Sequence, residues 1–149
     1  MTSRGRSLVT FTTSEFALSA DNSEPLGRGL ALWLVNAVKA KGCLVPGLPE
    51  QEDFGWYFDF EVGEVPHCFV LGGRVELGGE ITWIANVERR RRFLSSVFGG
   101  RKRGIRSEAL VLMNEVVRSI PSVSSVAWHV ESAFDRGDES QGADSPLAP

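Results

Sequence analysis

The amino-acid sequence predicts an α+β fold: a two-layer sandwich in which two helices cover one face of a mainly antiparallel, five-stranded sheet. Several segments alternate apolar and polar residues with a period of two, which is typical of half-buried strands. Two other segments repeat apolar residues every three or four positions, which is typical of amphipathic helices. The predicted order is β-α-β-β-β-α-β. Two helices are too few to cover both faces of such a sheet, so both are expected on one face.

Length and composition support a single domain. The chain has 149 residues, of which 42% are hydrophobic and 23% charged, with a formal net charge of −3. These values exclude an intrinsically disordered chain, and no apolar run reaches the roughly 18 residues that a membrane span needs. We expect a loose N-terminus over 1–6, the domain over 7–133, and a disordered acidic tail over 134–149. The N-terminus lacks the apolar core of a secretory signal, so a cytoplasmic location is expected.

The first two elements are a strand and a long helix. Leu8–Thr12 alternates and predicts a strand. Ser23, followed by an acid and by Pro25, is typical of a helix start, because serine caps the first turn and proline has no N–H to leave unpaired there. Gly42 suits the left-handed residue that follows a helix, so the helix is expected over 23–41. Its apolar stripe consists of Leu26, Leu30, Trp33, Leu34, Ala37 and Val38.

Three strands are expected next. Strict alternation predicts strands over 56–62 and 81–88, with a shorter strand over 68–71 between them. The glycine pairs at 72–73 and 78–79 predict a loose hairpin that joins the last two strands. The side chains expected to face the helices are Trp56, Phe58, Phe60, Val62, Ile81, Trp83, Ala85 and Val87.

A helical turn, a second helix and a closing strand complete the prediction. Residues 93–98 are expected to form a short helical turn. The second helix is expected from a cap at Ser107 to Ser119, and Pro121 ends it. The last strand is expected over 126–130, with Val126, Trp128 and Val130 facing inward.

The outward side chains of these strands form a candidate binding face. It consists of Tyr57, Asp59, Glu61, Asn86, Glu88 and His129. One interpretation is a general acid/base set in which His129 is oriented by Asp59 or Glu88. The other is the solvated face of an antiparallel sheet. The sequence has no nucleophile elbow, phosphate loop or HExxH motif, so we predict no catalytic residue and no enzyme.

The chain's basic residues are concentrated in one stretch. Eight of the 16 Lys and Arg lie within residues 89–106, here called the basic segment, which contains no acid. They are Arg89, Arg90, Arg91, Arg92, Arg101, Lys102, Arg103 and Arg106. Such a cluster favours either a solvated loop or a phosphate-rich or acidic partner. The pI of about 5.4 argues against a typical nucleic-acid-binding domain.

Cysteines and histidines give no metal or cofactor prediction. Cys43 and Cys68 have no CxxC spacing, and His67 and His129 come from distant segments. Adjacent residues of a strand point to opposite faces, so His67 and Cys68 are not expected to share a zinc ion. We predict two free thiols, no metal site and no cofactor.

Short motifs resemble a group of small uncharacterised bacterial single-domain proteins. They are Ala20-Asp21-Asn22 before the long helix, Glu52-Asp53-Phe54-Gly55-Trp56 at the start of a strand, and Val97-Phe98-Gly99. The resemblance implies no catalytic residue. We expect a non-catalytic module that binds a partner protein and neutralises or regulates it, as immunity proteins do with toxins. The alternative is nucleic-acid or phosphate binding through the basic segment; the partner and the oligomeric state stay open.

Overall fold

A computed structural model describes residues 5–16, 25–89 and 104–149. These residues form six strands and three helices, and the α+β class is confirmed. The elements are β1 Leu8–Thr12, α1 Arg28–Ala40, β2 Glu50–Glu52, β3 Gly55–Val62, β4 Val65–Val75, β5 Ile81–Arg89, α2 Ser107–Arg118, β6 Ser124–His129 and α3 Glu131–Asp135. The predicted helical turn at 93–98 and the predicted cap Ser23 lie outside the described residues.

The sheet is antiparallel throughout, with the order β2-β3-β4-β5-β1-β6. The predicted count of five strands was wrong, because β2 was missed. Its three residues, Glu-Gln-Glu, are all exposed and therefore carry no apolar alternation to detect. β2 forms one edge of the sheet beside β3, and β6 forms the other edge.

One face of the sheet carries the core, and both long helices pack on it. The predicted alternation is confirmed in β3 and β5: Phe58 and Phe60 are buried, as are Trp83 and Val87. They share one apolar cluster with residues from both helices. The helix residues in that cluster are Leu30, Ala31, Leu34, Val35, Val38, Ala109, Leu110, Met113, Val116 and Val117.

Strand β4 is longer than predicted at both ends. It begins after a two-residue turn in which Gly63 and Glu64 have φ angles of 54° and 66°, the left-handed values of a tight hairpin. At its other end Gly72 and Gly73 belong to the strand rather than to a loop. A Cβ on Gly73 would lie 3.0 Å from the ring of Trp83, so a larger residue there would require that ring to shift.

Helix α1 begins later than predicted. Gly27 has a φ angle of 114° and precedes the first helical residue, so Pro25 lies outside the helix. There the backbone oxygen of Pro25 accepts a hydrogen bond of 3.0 Å from Nε1 of Trp56, which holds the chain on the sheet. The predicted ending at Gly42 is supported by its φ angle of 87°. The buried stripe is also rotated, since Trp33 is only partly buried.

Residues 134–149 differ from the expectation of a disordered tail. α3 follows β6 almost directly, and Val130, expected in a strand, precedes this helix and is exposed. Ala143 then pairs with Trp128 through two backbone hydrogen bonds of 2.7 and 2.8 Å. The tail's composition offers no apolar stripe, but its backbone finds hydrogen-bond partners along the free edge of β6.

Candidate functional site

The register brings the predicted face residues of β3 and β5 together. Residues opposite each other in an antiparallel pair share a face. Asp59 lies opposite Cys68, which lies opposite Glu88, so the thiol sits between two carboxylates. In the next row the partners are Tyr57, Val70 and Asn86. We call Tyr57, Asp59, Glu61, Cys68, Val70, Asn86 and Glu88 the polar face.

The polar face combines acidic groups with a small apolar centre. Tyr57, Asp59 and Glu88 are partly exposed, with Oδ1 of Asp59 buried, and Cys68 is buried. The hydroxyl of Tyr57 donates to a carboxylate oxygen of Glu50 in β2, which fixes the ring at the edge of the sheet. This surface lies on the side of the sheet opposite α1 and α2, because its residues alternate with the core residues of the same strands.

His129 does not join this group. It lies in β6, four strands from Asp59, a separation of roughly 19 Å at normal strand spacing. Its Nε2 is 2.9 Å from Oγ1 of Thr10, and its ring contacts Phe134 at a centroid distance of 5.0 Å. Glu88 is nearer, two strands away, but the register pairs His129 with Leu8. The interpretation of His129 as a base oriented by Asp59 or Glu88 was therefore wrong.

The tail covers the β6 side of the same face. Phe134 rests on the ring of His129, and a Cβ on Gly142 would lie 3.0 Å from that ring. Glu139 reaches across to Arg74 of β4 with two hydrogen bonds of 3.1 Å. Burial beneath the tail lowers the pKa of His129, and nearby Glu139 opposes that shift. The lowered pKa favours the neutral ring of His129, which lies apart from the polar face.

The two ends of the basic segment meet at one point. Arg89 donates from Nη1 to the backbone oxygen of Gly104 at 3.2 Å. Arg106 donates from its backbone N–H to Nε2 of His67 at 3.1 Å. Because Arg89 directly follows Glu88, the segment leaves the sheet at the end that carries Asp59 and Glu88. The other six basic residues, Arg90, Arg91, Arg92, Arg101, Lys102 and Arg103, lie outside the described residues.

His67 is the functional candidate that sequence reasoning missed. It was considered only as a zinc ligand, yet the alternation of β4 places it on the helix side with Phe69 and Leu71, and it is fully buried. Its ring stacks on Phe60 with centroids 5.7 Å apart. The available signal was this alternation, which extends from Leu71 back to His67 once the strand is drawn at its full length.

Metal sites and disulfides are absent from the part of the chain that the structure describes. It contains no cluster of three or more His, Cys, Asp or Glu residues arranged to hold a metal ion. Neither Cys43 nor Cys68, both within the described residues, forms a disulfide. A shallow groove along α2, which Lys41 and Leu147 also line, carries the exposed ion pair of Lys41 with Glu115 at 3.3 Å.

Comparison with protein-family models, curated proteins and solved structures found no match to this chain. The resemblance to small bacterial proteins therefore stays a prediction. Among the helices of the described residues, none has the length and apolar character needed to cross a membrane.

Proposed function

We propose that this protein is a non-catalytic module that binds a partner protein and neutralises or regulates it, in the manner of an immunity protein. The observation that carries the proposal is the polar face. Asp59 and Glu88 flank Cys68 in register across three adjacent strands, on the side of the sheet that the two long helices leave uncovered.

The make-up of this surface favours a protein partner over a small substrate. It is a row of side chains on a sheet rather than a concave pocket, and enzyme sites are usually concave. Two carboxylates flank Cys68 and two uncharged polar side chains, Tyr57 and Asn86, flank Val70, so polar groups surround a small apolar centre, an arrangement typical of protein interfaces. The charge calls for a partner whose contact surface is rich in Lys and Arg, which would speed association at low salt.

Affinity capture with matched variants tests this proposal. The bait is the full chain, used as wild type, as the face variant Asp59→Asn/Glu88→Gln, and as the control variant Glu15→Gln/Glu115→Gln. The control removes the same charge from surfaces away from the polar face. Captured proteins are identified, and each candidate partner is purified and titrated against all three baits by calorimetry.

We expect a partner that binds wild type and control equally and binds the face variant at least about tenfold more weakly, a difference of roughly 1.4 kcal/mol. Unchanged thermal unfolding of the face variant shows that the loss is not caused by misfolding. If every protein that binds wild type also binds the face variant with the same affinity, the polar face is not the interface and the proposal fails.

Binding of a phosphate-rich ligand through the basic segment is a second candidate. This candidate is favoured by the positions of Arg89 and Arg106, the first and last residues of the basic segment. Both lie beside the buried ring of His67, so cations from the two ends of the segment are close together. Fluorescence anisotropy with DNA and RNA at about 50 and 200 mM salt tests it, because phosphate contacts weaken steeply with salt. Substitution of Arg90, Arg91, Arg101 and Arg103 by Ser should abolish that binding. Absence of binding at the lower salt refutes this candidate.

A further inference from the structure

His67 connects strand β4 to the residue that precedes α2. Its Nδ1 lies 3.0 Å from the backbone oxygen of Val65, and its Nε2 lies 3.1 Å from the backbone nitrogen of Arg106. A carbonyl oxygen only accepts and an amide N–H only donates, so Nδ1 carries the ring proton and Nε2 carries none. The two contacts therefore define a neutral ring in a single tautomer.

A second proton on this ring has no acceptor. Nε2 is the only site for it, and that atom already faces the N–H of Arg106, so protonation would set two donors against each other. Among the described residues, the charges that act on the ring are Arg89 from β5, Arg106 before α2, and Glu108 within α2; from β3 the ring faces the uncharged Phe60. Burial is the largest cause that lowers the pKa of His67, and the two arginines add to it. The hydrogen bond to Val65 and the charge of Glu108 act in the opposite direction.

The contact with Arg106 also helps to hold residues 104–106, the last residues of the basic segment, against the sheet. Arg89, the residue opposite His67 in the sheet, donates to the backbone oxygen of Gly104. Residues 104–106 are therefore held from two sides: through Gly104 by Arg89 and through Arg106 by His67. The second attachment exists only while the imidazole is neutral.

We propose that His67 is a pH-sensitive latch at the base of the basic segment. The neutral ring holds Arg106 against β4, and protonation releases residues 104–106 from the sheet without unfolding the domain. The latch is separate from the polar face, because His67 points to the helix side of the sheet.

Amide hydrogen exchange of the full chain, followed by NMR at pH 7.5 and 5.5 and corrected for intrinsic rates, tests the latch. An exposed histidine titrates near pH 6.5, so the protection factor of the Arg106 amide should fall about tenfold between these two conditions. It should also stay below the protection factor of Val9 in the middle of the sheet, which marks the opening as local. An unchanged Arg106 amide, or one that exchanges at the same rate as Val9 at pH 5.5, overturns the proposal.

Two variants separate titration from hydrogen bonding. His67→Gln keeps an acceptor for Arg106 but does not titrate, so its Arg106 protection should be the same at both pH values. His129→Gln, which removes the other buried histidine, should retain the tenfold fall. A pH-dependent Arg106 amide in His67→Gln refutes the latch. If that variant does not fold, long-range ¹H–¹⁵N spectra of the wild-type imidazole decide the question: at pH 7.5 a proton on Nε2, or a charged ring, refutes it.

Discussion

Replacing Arg6 by Met tests whether the tail is part of the folded domain. Arg6 is 8% exposed, and its guanidinium donates to the backbone oxygens of Gln141 at 2.5 Å and Pro149 at 2.7 Å, with a longer bond of 3.2 Å to Trp128. Bonds from a charged donor contribute about 1.5–3 kcal/mol each. Water replaces part of each lost bond, so we assign the two shortest bonds the low end of this range. Their loss predicts a decrease of about 3 kcal/mol in the free energy of unfolding. For a chain of this size that corresponds to a fall in Tm of roughly 10 °C.

Urea denaturation followed by tryptophan fluorescence measures the effect of Arg6→Met. Met keeps an unbranched stem of similar length, so the change isolates the guanidinium. Arg136→Met is the matched control: it removes the same charge from the tail itself at an exposed position, and it should change stability by no more than about 0.5 kcal/mol. If Arg6→Met has an effect as small as that of the control, the tail is not held by this residue. The attachment of the tail would then rest on its pairing with Trp128 and on the Arg74–Glu139 ion pair.

Three further predictions concern pH and packing. Burial lowers the pKa values of both His67 and His129, so below pH 6.5 the unfolded chain binds more protons than the folded one. The free energy of unfolding should therefore be highest above pH 6.5 and should fall as the pH drops, by up to about 1.4 kcal/mol per pH unit for each histidine. Denaturation curves recorded between pH 7.5 and 5 measure this decrease. Trp33→Ala should lower the free energy of unfolding less than Phe60→Ala in the same assay, because Trp33 is partly exposed whereas Phe60 is 0% exposed. Phe60→Ala should lower it by about 3–5 kcal/mol, and equal decreases for the two variants would contradict the packing. Gly73→Ala should lower stability by roughly 1–3 kcal/mol because its Cβ would press on a tryptophan ring, and a neutral result would show that the ring can move.

Local periodicity was enough to predict the fold class and most of the core. Strand β1 has its predicted bounds, and the alternation of β3 and β5 sends Phe60 and Trp83 to the helix side, as expected. The same alternation predicted that Tyr57, Asp59 and Glu88 share the opposite face. This worked because a strand assigns its side chains to two faces by a period of two, which does not depend on the strands beside it.

Features that depend on which segments become neighbours were not predictable. β2 is an exposed run of charged and amide residues that becomes a strand only because β3 offers it an edge. The tail is ordered by the edge of β6 and by Arg6, neither of which leaves a trace in the tail's own composition.

The two histidines illustrate most clearly the difference between what local alternation determines and what long-range pairing determines. The sequence placed His129 on the face of the polar residues, which the alternation of β6 determines. Only the strand order decided that β1, β5 and β4 separate it from Asp59, and only the packing of α2 decided that His67 meets the N–H of Arg106. The side of a sheet to which a residue points is a local property of the backbone. Its distance from a partner is set by long-range pairing and packing, which no single segment encodes.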